Sequence, residues 1–291
     1  MEKEYIRLKE IKPELADYLN SSLRIINYSQ PIDSKEVHDL RVLLKKARAV
    51  LKLIASQVIP DYNVKDITSL REASKLMSDW RDNSVLRKIL KDLRKEYPSL
   101  FGRLVNNEII NKLSVKNNET SIPLDADLTI AKIKELVHKT SYRIRFQNAD
   151  AFDPNILLSE LEKTYADAVK RFVFCRNDPT EKKLHAFRKK SKEFLYQVFF
   201  FRPLNNRAIK DLEDKLTGMT RNLGKLVDLF QLLKALDYKY YEVNPIELDE
   251  LVVRIRERQD EHLRKVWPVA SKIFCPGRKL ASVLGYKTLI I

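Results

Sequence analysis

The stretch VHDLRVLLKKARAVLKLI, residues 37–54, sets His38, Arg41, Lys45, Arg48 and Lys52 at steps of three and four with no helix breaker among them. At 100° per residue these five fall within an arc of about 80°. Leu40, Leu43, Leu44, Ala47, Leu51 and Ile54 take the opposite side. One face is therefore core, and the other is a basic ladder about 21 Å long at the helical rise of about 1.5 Å per residue. Such a ladder repels itself unless an anion settles along it. The residue types suit phosphate: arginine forks onto two oxygens, lysine supplies a mobile point charge, and imidazole donates hydrogen bonds whether neutral or charged. The plain alternative is the solvated face of an amphipathic helix. Against it, the ladder has almost no acid to form the usual i,i+4 ion pairs, since Asp39 lies off the stripe.

The pattern also occurs twice. His38, Arg41, Lys45 and Ala47 correspond to His185, Arg188, Lys192 and Phe194, 147 residues on. Leu40 matches Phe187, Leu51 matches Val198 and Ile54 matches Phe201, while Lys189 and Tyr196 extend the second polar face. The next helix repeats at an offset of 146: LMSDWRDNSVLRKIL aligns with NLGKLVDLFQLLKAL, placing Ser78 on Gly224, Asp82 on Asp228 and Leu86 on Leu232. Two helices matching in order and polarity imply a duplicated helical bundle with pseudo-twofold symmetry, His38 lying over His185. His138 and His262 have no equivalent setting and are expected at the surface.

Positioning these faces requires helices, and the rest of the chain supplies them. Only five glycines occur in 291 residues, and the leucine- and lysine-rich remainder favours helix. Asp33 with Glu36 forms a capping-box pattern ahead of the first ladder, which Pro60 is expected to close. A long helix is predicted over about 65–96, ended by Pro98, with a further one to about Leu113. Others are predicted over about 128–147, 155–176, 180–201, 206–237 and 246–274. The run YQVFFF is strand-like by composition, but Phe187, Phe194, Val198 and Phe201 keep helical spacing. The polar stretch SVKNNETSIPLDAD reads as a linker, dividing one domain, 1–291, into repeats 1–120 and 121–291. The fold class is all-α: two pseudo-twofold-related four-helix-bundle repeats around a central basic groove or pore.

A net charge of +15 and a pI near 9.6 point to a polyanionic partner: nucleic acid, anionic membrane or a phosphate polymer. Cys175 and Cys275 are too few for a disulfide framework and are expected as two buried thiols. Neither a signal peptide nor a membrane-spanning run is recognisable, so a cytoplasmic location is expected.

The two ladders, VHDLRVLLKKARAVLKL and KLHAFRKKSKEFLYQVFFFRP, resemble the signature helices of the CHAD family, the conserved-histidine α-helical domain. WRDNSVLRKIL resembles that family's arginine–aspartate motif, LGKLVDLFQLL resembles its second-repeat counterpart, and LEKTYADAVKR stands where the family has a tyrosine followed by arginines. The resemblance covers essentially the whole chain. It implies a helical domain of two four-helix repeats that binds inorganic polyphosphate through basic residues. Carried over by position, it implies His38, Arg41, Lys45, Lys46 and Arg48 as ligands in the first copy. In the second it implies His185, Arg188, Lys189 and Lys192, with Tyr196 as hydrogen-bond donor. Lys52 extends the first ladder, and Arg81 belongs to a family motif but ranks lower, since an acid such as Asp228 is an alternative partner. This chain departs from the family in ADAVKR after Tyr165, in Val227, and in Glu193, which stands where the first copy has Lys46.

The leading expectation is a non-enzymatic polyphosphate-binding protein, with targeting to polyphosphate granules as its extension, needing no cofactor and no metal. Nucleic acid is the alternative partner, disfavoured because single-strand binders interleave stacking aromatics with their cations and here only Tyr196 is available. A phosphohydrolase is the third reading. It lacks a visible carboxylate cluster for Mg²⁺, Asp82 and Asp228 being single and repeat-related.

Overall fold

The computed structural model describes residues 8–28, 32–114, 126–146, 152–236 and 245–286, with backbone alone at 79–84, 126 and 245–247. Among the described residues there is no strand. Helix α1 (Ile11–Tyr28) leads into α2 (Ser34–Leu53), which starts at the expected capping box. Asp33 Oδ1 accepts from the Glu36 N–H at 2.7 Å, and Glu36 Oε2 accepts from the Asp33 N–H at 2.8 Å. Such a cap contributes about 1 kcal/mol. The predicted apolar side of α2 is core: Leu40, Leu44, Ala47, Leu51 and Ile54 are buried, with Leu43 partly so.

Three boundaries differ from the sequence expectation. Pro60 does not close α2; that helix stops at Leu53, a 3₁₀ turn covers Ala55–Gln57, and Pro60 opens α3 (Pro60–Leu76). Proline suits a first helical position because no intrahelical partner awaits its missing N–H. The expected helix over 65–96 is two helices, α3 and α4 (Asp79–Glu96). Between them the Ser78 hydroxyl and N–H both donate to the Lys75 carbonyl, a local bond that competes with the helical ladder. The stretch to Leu113 is likewise divided into α5 (Pro98–Arg103) and α6 (Glu108–Ser114). Asn107 Oδ1 starts α6 by accepting from the Ile110 N–H at 3.1 Å.

The later helices lie close to their predicted spans: α7 (Ala126–Phe146), α8 (Pro154–Asn177), α9 (Glu181–Val198), α10 (Asn206–Ala235) and α11 (Pro245–Ile273), followed by the short α12 (Leu280–Val283). YQVFFF ends α9 and runs on as a 3₁₀ turn, Phe199–Phe201. Phe187, Phe194, Val198 and Phe201 are fully buried, so the helical spacing, not the β-like composition, governs that segment.

Helices α1, α2, α3 and α7 pack on one another, as do α8, α9, α10 and α11, and α2 packs directly on α9. Helix α7 lies against α1 and α3, so the first group of four extends past the expected division at 120/121. A partly buried ion pair fastens it there: Arg143 Nε donates to the buried Asp66 Oδ1 of α3 at 2.6 Å. The linker itself, 115–125, lies outside the described residues. One core spans both groups. A second core joins α4, α5 and α6 to the end of α10 and the start of α11 through residues such as Leu93, Phe101, Ile110, Leu232 and Leu251. At the α2–α9 crossing the buried Gln197 donates to the Ala49 carbonyl at 3.0 Å, which holds the two basic helices side by side.

Two further expectations are corrected. Cys175 is buried and its thiol is pushed up to about 12 by that burial, but Cys275 is exposed in the turn after α11. His138 is exposed as expected, whereas His262 is buried. Asn222 donates its amide N–H to the Gly218 carbonyl at 2.9 Å, which turns its oxygen toward His262 Nδ1 at 3.0 Å. Burial and then Lys225, Lys265 and Arg258 lower the His262 pKa.

Candidate anion-binding site

The ladder of α2 and the ladder of α9 face a common cavity of about 500 Å³. Arg41, Lys45, Arg48 and Lys52 line it from α2; His185, Arg188, Lys189, Lys192 and Tyr196 line it from α9. The third wall is α3, which contributes Arg71, Ser74 and Lys75, with Ser78 just beyond its end. Sequence reasoning missed this wall. Its signal was present, because positions 71, 74, 75 and 78 fall within a helical arc of about 100°, beside the stripe of Leu70, Ala73 and Met77, all three buried.

Three sequence-derived candidates are not placed in the cavity. His38 is exposed and does not line it. Lys46 points to a neighbouring cleft, its ammonium 5.2 Å above the Tyr18 ring. One position along a helix turns a side chain by 100°, which is enough to separate Lys46 from Lys45. The side chain of Arg81 lies outside the described residues, as does that of Asp82. Tyr165, from the motif resembling the family's tyrosine element, is structural: its buried hydroxyl donates to the carbonyls of Ile273 at 2.9 Å and Arg278 at 3.1 Å.

The repeat has a local counterpart in how the two arginines are seated. Arg41 Nη1 donates to the Met77 carbonyl at 2.6 Å, in the interruption between α3 and α4. Arg188, its equivalent, lies against Gly224 on the unbroken α10; a Cβ there would stand 3.1 Å from Arg188 Nη2. Gly224 is the position aligned with Ser78. In both copies the ladder arginine thus reaches the same point of the following helix, and the missing side chain at Gly224 makes room for it.

Among the described residues, nine Lys and Arg side chains and one carboxylate, Glu193, line the cavity. Crowding them carries an electrostatic cost. Burial, then Arg71 and Arg41, lower the Arg48 pKa, with Glu193 opposing. Its Nε is buried with no hydrogen-bond partner among the described residues. Burial, then Lys52, Arg71 and Arg48, lower Lys189. His185 keeps an exposed edge, yet partial burial followed by Arg188, Lys189 and Lys45 holds it below the ordinary imidazole value, with Glu181 opposing. Burial raises the Tyr196 phenol, which leaves it a neutral donor. Such a site lowers its energy by taking up an anion. Among the described residues, no group of three or more His, Cys, Asp or Glu is arranged to hold a metal ion, and no helix is long and apolar enough to cross a membrane.

A family profile for the CHAD domain matches residues 18–237. The crystal structure of the CHAD domain from the plant Ricinus communis is similar in fold, with a TM-score of 0.51 at 15% identity, covering 94% of this chain and 91% of that one. No curated protein sequence matches the chain. The profile takes in both basic ladders and the helix after each, and on that match the chain belongs to the CHAD family.

Proposed function

We propose that this protein binds inorganic polyphosphate, without turning it over, in the cavity between α2, α3 and α9. The observation that carries the reading is the concentration of nine Lys and Arg side chains around one cavity, against one carboxylate among the described residues, with the pKa values of Arg48 and Lys189 already lowered by burial and mutual repulsion. An interior phosphate of such a polymer carries about one negative charge, so successive phosphates meet successive Lys and Arg side chains and release counterions. Among the described residues of this lining Tyr196 is the one aromatic side chain, which gives little for a base to stack on. The family resemblance supports the same ligand class. A role at polyphosphate granules follows as an extension of it.

The test is a competition at fixed salt between long-chain polyphosphate and single- and double-stranded DNA, with phosphate release followed in parallel. Polyphosphate should win against both, and no catalytic release should occur. Replacing Arg41 and Lys45 together by glutamate should weaken binding far more than the same change at Lys91 and Lys95, which are exposed on α4 away from the cavity. Equal losses would mean that net charge alone attracts the polymer. Hydrolysis of triphosphate at a catalytic rate would replace the binding reading with an enzymatic one.

A further inference from the structure

The outer face of α7 carries a pattern that neither the core nor the cavity uses. Helix α7 packs on α1 and α3, burying Ile130, Ile133, Val137 and Ile144. Its other side exposes three large apolar side chains, Leu128 at 72%, Tyr142 at 67% and Phe146 at 65%. The rings of Tyr142 and Phe146 stand one turn apart, with centroids 4.7 Å from each other. At 100° per residue Leu128, Ala131, Tyr142 and Phe146 fall within an arc of about 60°. Exposed cations border this ridge on both sides, Lys132 and Lys139 along one edge and Lys134 and Arg145 along the other. Two exposed acids, Asp127 and Glu135, share the face. Lys139 draws Glu135 toward its own edge, and Lys132 pairs with Glu72 of α3 at 2.7 Å. Lys134 and Arg145 form no ion pair among the described residues.

We propose that this face of α7 docks on an anionic membrane surface, the two rings entering the headgroup boundary and the flanking cations meeting lipid phosphates. The helix would lie in the plane of the surface and not cross it. The order across the helix carries the argument: cation, apolar ridge, cation. Both edges come down together on a plane, where each Lys or Arg adds to the attraction and the ridge leaves water. A single strand of nucleic acid would instead take its cations in file beside the rings on which its bases stack. The net charge of +15 steers the molecule toward such a surface before contact. The face is separate from the cavity, because α3 turns Asp66 and Glu72 toward α7 and Arg71 and Lys75 toward the cavity. Docking through α7 therefore leaves the cavity uncovered, and the proposal holds whatever anion the cavity takes.

The experiment sediments the full chain at low salt with vesicles of phosphatidylcholine alone, or with about 30% phosphatidylserine added as the anionic lipid. Binding should require the anionic lipid. Tyr142→Ser with Phe146→Ser should weaken it at least about tenfold, since two rings stay in water. Lys134→Gln with Arg145→Gln should weaken it by at least about tenfold as well. The same charge change at Lys91 and Lys95, on α4 where it packs against α6 and α10, should cost less than about threefold, because those charges lie away from the surface. Should the ring variant fail to fold, the two charge variants decide alone. A wild type that ignores anionic vesicles overturns the proposal, as does equal binding to neutral ones. So does a loss at α7 no larger than that at Lys91 and Lys95, which would leave net charge as the cause. A larger loss from Arg41→Gln with Lys45→Gln than from the α7 cations would put lipid phosphates in the cavity and overturn it too. Self-association or binding of a thymidine oligonucleotide that the ring variant abolishes, without vesicle binding, would assign the face to a second copy or to a single strand instead.

Discussion

At the scale of single residues, the two repeat-related histidines are not equivalent. His185 lines the cavity among Arg188, Lys189 and Lys45, whereas His38 is exposed outside it. This gives the pH dependence of binding a definite source and sign. In the free protein the His185 pKa is depressed by burial and its cationic neighbours. A bound phosphate chain favours the imidazolium and raises that pKa, so binding takes up a proton. Affinity should therefore strengthen as pH falls from about 8 through the bound-state pKa, and level off below the lowered free value. Replacement of His185 by glutamine should flatten this profile, and replacement of His38 should leave its shape intact. A profile abolished at His38 and retained at His185 would contradict the placement of both.

At the scale of elements, the capped start of α2 and the aromatic core face of α9 were legible because each depends on near neighbours in the chain: Asp33 with Glu36, or Phe187, Phe194 and Val198 at helical spacing. The interruption at Met77–Ser78 was not, because no proline or glycine marks it. It involves a serine turning onto the Lys75 carbonyl and an arginine from another helix taking the Met77 carbonyl. The third wall was missed for a related reason. Read as part of one long helix, Arg71 and Lys75 belong to an ordinary polar stripe, and only the packing of α3 on α2 brings them to the cavity. The same limit explains Lys46, which stands next to Lys45 on α2 and still faces elsewhere. Three walls, rather than two ladders, make a direct prediction. Replacing Arg71 and Lys75 together by glutamate should reduce polyphosphate affinity by at least about tenfold at low salt, since two contacts are reversed. A loss no greater than that from the distant Lys91 and Lys95 pair would return the site to α2 and α9 alone.

At the scale of the whole molecule, folding must assemble a cationic site that opposes its own assembly. The core shared by both helix groups and the Gln197–Ala49 contact hold α2, α9 and α3 together against that repulsion, and the Asp66–Arg143 pair ties α3 to α7 behind them. Added salt should therefore act in opposite directions on the free and the bound protein. Without ligand, ions screen the facing cations over a Debye length that shrinks from about 30 Å at 0.01 M to about 8 Å at 0.15 M, and the melting temperature should rise. With polyphosphate present, the polymer binds the folded state and raises the melting temperature by mass action. That increment should shrink as salt displaces the polymer, because several counterions return to it at once. The two melting curves should converge with increasing salt, the free protein from below and the complex from above. A free protein whose melting temperature is indifferent to salt over this range would show that internal pairs such as Glu193 with Lys52 already compensate the cavity. Polyphosphate would then have to bind for some reason other than relief of that repulsion.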